Sequence, residues 1–295
     1  IMASETGVVP IAADNIAAKG RLQPGRMFLV DTAEGRIVED EEIKARIAER
    51  QPYGQWLGAN LVRPQADTSS GAPAPDDAAT LFQKQQVFGY TREDLKLILD
   101  PMARTGVEPT GSMGDDIPPA VLSRRARLLY DYFKQLFAQV TNPPLDAIRE
   151  KLVTSLVTTI GAEQNLFSET PEHARQIRLE HPLLTDAEFR WFQSQTPADM
   201  RAVTIPMVYP ANGGGAEMGK ALEGICRLSA KAVREGAVLV ILTDRPVDPD
   251  TAPVPALLAT AAVHHHLIAA GMRSGCGLVV ETGEAREIHH VCCLL

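Results

Sequence analysis

The run Gly236-Ala237-Val238-Leu239-Val240-Ile241-Leu242-Thr243 decides how the second half of this sequence is read. It is apolar at every position between the glycine and the threonine, the pattern of a strand buried on both faces. Upstream, Glu217–Glu235 carries apolar residues at helical spacing, Gly213-Gly214-Gly215 breaks the chain ahead of it, and Ala202–Tyr209 has the Val, Ile and Tyr content of a strand. Downstream, Val254–Ala270 reads as a helix, Gly277-Leu278-Val279-Val280-Glu281 as a second buried strand, and Glu284 onward as the start of another helix. Strand, helix and strand joined by crossovers this long imply parallel pairing. The fold class is therefore α/β, a parallel sheet flanked by helices.

Towards the N-terminus the character changes twice. Leu81–Phe88, Arg92–Arg104 and Ala120–Val140 show helical spacing; in the last of these Leu128, Leu129, Tyr132, Phe133, Leu136, Phe137 and Val140 make a wide stripe. Thr91-Arg92-Glu93-Asp94 has the form of a helix cap with first-turn acids, and Asp146–Leu156 predicts one more helix with Ile148, Leu152 and Leu156 in phase. Residues 63–79 are rich in Pro, Ser, Asp, Gly and Ala and read as a linker. Before it, residues 1–62 form a small β-rich piece. Met27–Asp31 and Arg36–Val38 are hairpin strands about the Ala33-Glu34-Gly35 turn, and a helix follows over Asp40–Arg50, acids first and bases last. The first residues read as the middle of a strand, and the apolar His289–Leu295 stops without a cap, so a piece of a longer protein is expected.

With 295 residues, 45% of them hydrophobic and 22% charged, the chain has material for one large or two ordinary domains. Its net charge of −8 argues against nucleic acid and anionic lipid as partners, because both are bound through clustered Lys and Arg. No apolar run approaches the ~18 residues of a membrane span, and no secretory n-region leads to a cleavage site. Cys226, Cys276, Cys292 and Cys293 lack framework spacing, which suits a reducing compartment; a cytoplasmic protein is expected.

Several groups could carry chemistry. Gly213–Gly215 ahead of a helix could cradle a phosphate or simply turn the chain; it matches neither dinucleotide nor Walker patterns. Three consecutive histidines, His264-His265-His266, point about 100° apart on a helix, so packing explains them better than one metal ion does. His289-His290 with Cys292 and Cys293 likewise completes no zinc spacing, and no metal ligand is assigned. Asp244 and Arg245 end one buried strand, and Glu281, Glu284 and Arg286 end the other. That edge of a parallel sheet is where ligands sit, although an ion-pair network holding loops together accounts for the same residues. Finally, Thr110-Gly111-Ser112-Met113-Gly114-Asp115-Asp116 is a polar, glycine-containing loop that could approach a substrate or a neighbouring domain, and no base adjoins Ser112 to make it a nucleophile.

Longer strings carry a resemblance. Gly89-Tyr90-Thr91-Arg92-Glu93-Asp94, then Glu108-Pro109 leading into the Thr110–Asp116 loop, then Tyr130–Pro144 with Arg149-Glu150-Lys151, run in the order found in the large subunit of glutamate synthases. Asp244-Arg245, Ala261–Leu267 and Glu281–Glu287 continue that order, so the sequence resembles the central domain of that family. Ala3–Val8 with Leu22–Met27 resembles the end of its class II, N-terminal-nucleophile glutaminase domain. One departure is Pro246 after Asp244-Arg245, where the family pattern leads one to expect glycine; proline forbids the positive φ that glycine allows.

The resemblance implies a glutaminase end over 1–62, a linker over 63–79 and a central domain over 80–295. It implies a parent enzyme in which glutamine-derived ammonia travels through a tunnel to a barrel holding FMN and a 3Fe–4S cluster. There 2-oxoglutarate becomes L-glutamate, with electrons from NADPH through a small (beta) subunit or from ferredoxin. No catalytic residue, cofactor ligand or metal ligand carries over: the four cysteines all follow residue 225, and none stands at the N-terminus. What is implied for this stretch is a connecting role between the glutaminase and FMN-barrel domains of the same polypeptide, with the Thr110–Asp116 loop near the tunnel and no activity alone. The alternative is a stand-alone non-catalytic scaffold that binds separate glutaminase and synthase chains. A third reading is a His/Cys-rich metal-binding module.

Overall fold

The computed structural model describes residues 1–5, 7–64, 76–114, 116–134, 142, 144–194 and 196–295. Outside the described residues lie most of the expected linker (65–75), Asp115 of the polar loop, and Leu136, Phe137 and Val140 of the expected stripe. The chain divides into two units, Ile1–Ala59 and Asn60–Leu295.

In the first unit, β1 (Leu29–Asp31) and β2 (Arg36–Val38) pair antiparallel, with Asp31 opposite Arg36. Asp31 fixes the turn by accepting from the Ala33 and Glu34 N–H groups, both at 2.9 Å. The expected helix follows as α1 (Asp40–Ala48), its buried Asp40 accepting from the Met27 N–H at 2.8 Å and from Lys44 Nζ at 2.6 Å. A second helix, α2 (Tyr53–Asn60), ends at the boundary. The opening residues are not a strand, contrary to expectation: Ile1, Met2 and Ala3 have no regular structure and are exposed.

The second unit opens with α3 (Ala78–Val87), capped by Asp77, whose carboxylate accepts from the Ala79 and Thr80 N–H groups. A π-helical turn, Asp94–Leu99, runs directly into α4 (Asp100–Thr105). Thr91 and Asp94 cap it reciprocally, the Asp94 N–H donating to Thr91 Oγ1 and the Thr91 N–H to Asp94 Oδ2. Next come α5 (Ala147–Val153), capped by Asp146, the antiparallel pair β3 (Thr158–Ile160) and β4 (Ile177–Leu179), and α6 (Asp186–Ser194).

The expected helix over Ala120–Val140 is not formed in its described part. Residues 123–128 are irregular and Leu129–Tyr132 make one 3-10 turn. The reason is tertiary: Tyr130 is fully buried with its ring stacked 4.3 Å from that of His290, and this contact overrides local periodicity.

The remainder is the α/β part that the apolar runs predict. It contains β5 (Ala202–Pro206), β6 (Val208–Pro210), α7 (Gly214–Arg234), β7 (Leu239–Thr243), β8 (Thr251–Pro253), α8 (Ala256–Ala269), β9 (Gly277–Glu281) and α9 (Ile288–Leu294). The sheet order is β5-β7-β9, parallel throughout, while β6 and β8 form a separate antiparallel pair. All five residues of β7 are buried, and the strand serves two cores. Val240 and Leu242 face one made with Ile225 of α7 and Val263 of α8; Leu239 and Ile241 face another made with Ile177 of β4 and Phe189 and Phe192 of α6. That double duty is why its sequence shows no alternation. The register places Thr243 between Pro206 and Glu281, so the carboxyl ends of the strands form one edge.

Candidate functional site

At and just beyond that edge each residue singled out from the sequence has a partner, and the residues divide into separate sets. Glu281 accepts from Thr243 Oγ1 and from Arg245 Nε, both at 2.5 Å. Asp244 is buried and accepts from Thr282 Oγ1 at 2.5 Å and from the Gly283 N–H at 3.1 Å. Burial pushes its carboxyl up to about 6, against the pull of those two donors, and the neighbouring Glu284 and Glu281 push the same way. Glu284 takes a different post, accepting from the Ala256 N–H at 2.8 Å. There its carboxylate caps the N-terminus of α8, where Pro255 offers no side-chain cap. Burial raises the Glu284 carboxyl as well.

Arg286 does not join Asp244. Its side chain, 3% exposed, turns to the segment after α3 and donates to the Phe88 carbonyl at 3.1 Å and the Gly89 carbonyl at 3.3 Å. Its guanidinium lies 4.1 Å above the Tyr90 ring and 3.7 Å from Asp94 Oδ2. Tyr90 returns the tie by donating to the Gly283 carbonyl at 2.9 Å. Gly283 has to be small here, because a Cβ on it would lie 2.7 Å from the Phe88 ring.

The polar loop joins the same segment two turns later. The Ser112 carbonyl accepts from the His289 N–H at 2.8 Å, and Ser112 Oγ, buried, donates to Glu108 at 2.5 Å. Gly114, at φ +81°, lies against the His289 ring, where a Cβ would come within 2.8 Å of Cγ. Thr110, Gly111, Met113 and Asp116 remain exposed. At the start of α9 burial moves Glu287 up to about 7 and His290 down to about 4, so their 3.4 Å contact joins two groups that both favour the neutral form. Residues 281–290 therefore link the two candidate sets. Sequence reading missed Thr282 and Gly283, the partners of Asp244, and the Phe88-Gly89-Tyr90 receptor of Arg286. Short side chains beside a strand-end acid were the available signal for the first pair; no local pattern announces the second, which lies nearly 200 residues away.

A cleft of about 570 Å³ opens at this edge, lined among others by Lys84, Phe88, Phe189, Asp244, Arg245 and Glu281. Among the described residues its lining includes two cations that form ion pairs, Lys84 with Asp76 at 2.7 Å and Arg245 with Glu281 at 2.5 Å. The Gly283 N–H is spent on Asp244. Among the described residues no group of three or more His, Cys, Asp or Glu could hold a metal ion. The His264 ring accepts from Arg273 Nε at 3.0 Å, and the Gly213 N–H donates to the Pro210 carbonyl.

The comparisons place this α/β unit in a known class of protein. Residues 83–295 match the family described as glutamate synthase central domain, and the chain belongs to it. Residues 1–56 match the class-II glutamine amidotransferases. Over its whole length the chain is 41% identical to the glutamate synthase [NADPH] large chain of Bacillus subtilis and 41% identical to the ferredoxin-dependent glutamate synthase 2 of Synechocystis. It is 43% identical to the glutamate synthase [NADH] of Schizosaccharomyces pombe. It spans 19%, 19% and 14% of these relatives, respectively. Among the described residues no helix is long and apolar enough to cross a membrane.

Proposed function

We propose that this chain is the connecting stretch of a glutamate synthase, joining a glutaminase domain, which ends over residues 1–62, to a synthase domain through a linker over 63–79 and a central domain over 80–295. The observation that carries this reading is the end-to-end similarity to glutamate synthases. The parent would make L-glutamate from 2-oxoglutarate and glutamine-derived ammonia in the cytoplasm. FMN and the 3Fe–4S cluster would be held by other domains of the parent. Identity is close for relatives named for NADPH (41–42%), NADH (43%) and ferredoxin (38–41%). That closeness supports a choice of donor, through a small subunit or ferredoxin, made by sequence outside this stretch.

The test is turnover of glutamine and 2-oxoglutarate by the full-length polypeptide beside residues 1–295 alone. Glutamate should form only with the former; glutamate from residues 1–295 would refute the connecting role.

Within this reading the exposed part of the loop (Thr110, Gly111, Met113 and Asp116) faces the ammonia path, while Ser112 and Gly114 seat it on α9. Thr110→Val in the full-length enzyme should raise the ratio of glutamine hydrolysed to glutamate made. A ratio equal to that of the parent removes the loop from the path.

A further inference from the structure

We propose that the turn Asn165-Leu166-Phe167-Ser168 is an anchor that seats in an apolar, base-rimmed pocket on another domain of the same polypeptide. This rests on the reading of the chain as one stretch of a longer synthase. Leu166 is 91% exposed and Phe167 99%. Single exposed apolar residues are ordinary on protein surfaces; an adjacent pair on a turn whose backbone is tied down by several hydrogen bonds presents more apolar surface at one place.

The turn is held from several directions. The Phe167 N–H donates to Asn165 Oδ1 at 3.0 Å, and the Asn165 carbonyl accepts from the Ser168 N–H at 3.0 Å and Ser168 Oγ at 3.1 Å. His173 Nε2 lies 2.9 Å from that same carbonyl. Below the turn, the Ala162 carbonyl accepts from Gln176 Nε2 at 2.5 Å, and the Glu163 N–H donates to the Ser274 carbonyl at 2.7 Å. An aromatic side chain presented on a backbone already ordered loses little further freedom on docking, which is how a few residues come to dominate an interface.

Charge and chain length identify the occupant. Glu163 and Glu172 are exposed around the turn, and no Lys or Arg occurs from 161 to 172. A pocket rimmed by Lys or Arg complements that ring. A two-fold contact of this patch with itself would set the acids against one another, which disfavours a second copy. The relatives extend far beyond the matched stretch, since the chain covers 14–19% of them. A pocket on the same polypeptide is thus present at high effective concentration.

The test places the photo-cross-linker p-benzoylphenylalanine at Phe167 in the full-length polypeptide and maps the product by peptide mass. The expected adduct runs at monomer mass and joins position 167 to a peptide outside residues 1–295; adding Leu166→Asp abolishes it. An adduct at twice the monomer mass, one to a peptide within residues 1–295, no adduct at all, or one that survives Leu166→Asp overturns the proposal. Glutamate formation by the same preparations separates the two readings. Turnover without the adduct sinks the anchor alone, whereas absence of turnover in the unsubstituted polypeptide sinks the synthase reading and leaves the adduct to decide the anchor.

Discussion

Replacing Arg286 with alanine should destabilise the larger unit by about 3–5 kcal/mol, the cost of breaking a buried charge network by removing one member. The guanidinium is 3% exposed, donates to two backbone carbonyls and lies beside Asp94. Its charge also restrains the upward shifts of the buried Glu284 and Glu287 carboxyls. Alanine would leave the Phe88 and Gly89 carbonyls without these donors and the surrounding carboxylates without their cation. For a unit of this size such a loss corresponds to a fall of about 10 °C in Tm. Arg286→Lys should fall between, because an ammonium keeps the charge but neither the fork that spans two carbonyls nor the plane that lies on Tyr90. Thermal unfolding decides the point: an alanine variant melting within about 2 °C of the parent, under 1 kcal/mol, would show that the contact is incidental.

Asp244→Asn should act in the opposite direction, and only at higher pH. The folded-state value of about 6 lies above the ordinary value of 3.8. The folded protein therefore binds this proton more tightly than the unfolded chain does. The favourable contribution is complete below about pH 4 and is lost as pH rises through 6, after which the buried charge costs about 3 kcal/mol. An asparagine keeps an acceptor for the Gly283 N–H, and its amide can face the Thr282 hydroxyl, so the geometry survives without the charge. At pH 8 the variant should be more stable by about 1–3 kcal/mol, converging on the parent near pH 4. Glu287, raised to about 7, loses stabilisation over a neighbouring window; His290, lowered to about 4, gains it as pH rises towards its ordinary value of 6.5. Both terms are common to the two proteins and cancel in the difference of their Tm–pH curves. Parallel curves from pH 4 to 8 would contradict the buried-charge account.

How much of this was legible in the sequence depended on whether a residue's partners were near it. β7, β9, α7 and the Leu29–Val38 hairpin could be read because burial on both faces, amphipathic spacing and turn chemistry are local signals. α6 was missed although it carries a cap of the readable kind, the Thr185 N–H donating to Glu188 and the Glu188 N–H to Thr185 Oγ1. Its buried Phe189, Trp191 and Phe192 crowd into four positions and blur the helical period. The short strands β3, β4 and β8, three residues each, give too few positions for alternation to register, while the one strand read over Ala202–Tyr209 is two, β5 and β6, in different sheets. At the site, Asp244, Arg245, Glu281, Glu284 and Arg286 were legible as a set because all stand at or shortly after the carboxyl ends of β7 and β9. Their division into separate duties was not, since Arg286 answers to Phe88 and Glu284 to Ala256. The same reasoning explains the failed helix at 120–134, where burial of Tyr130 against His290 outweighs the local stripe.

The tie between Arg286 and the Phe88 carbonyl spans 198 residues of chain. On a ribosome adding 5–20 residues each second, the receptor segment is made roughly 10–40 s before its arginine exists. Throughout that interval Phe88 and Tyr90 lack the sheet edge that covers them, and the parallel sheet cannot close until β9 has emerged. Biosynthesis of this protein thus contains a built-in wait, during which a chaperone has an apolar segment to hold and a protease has one to cut.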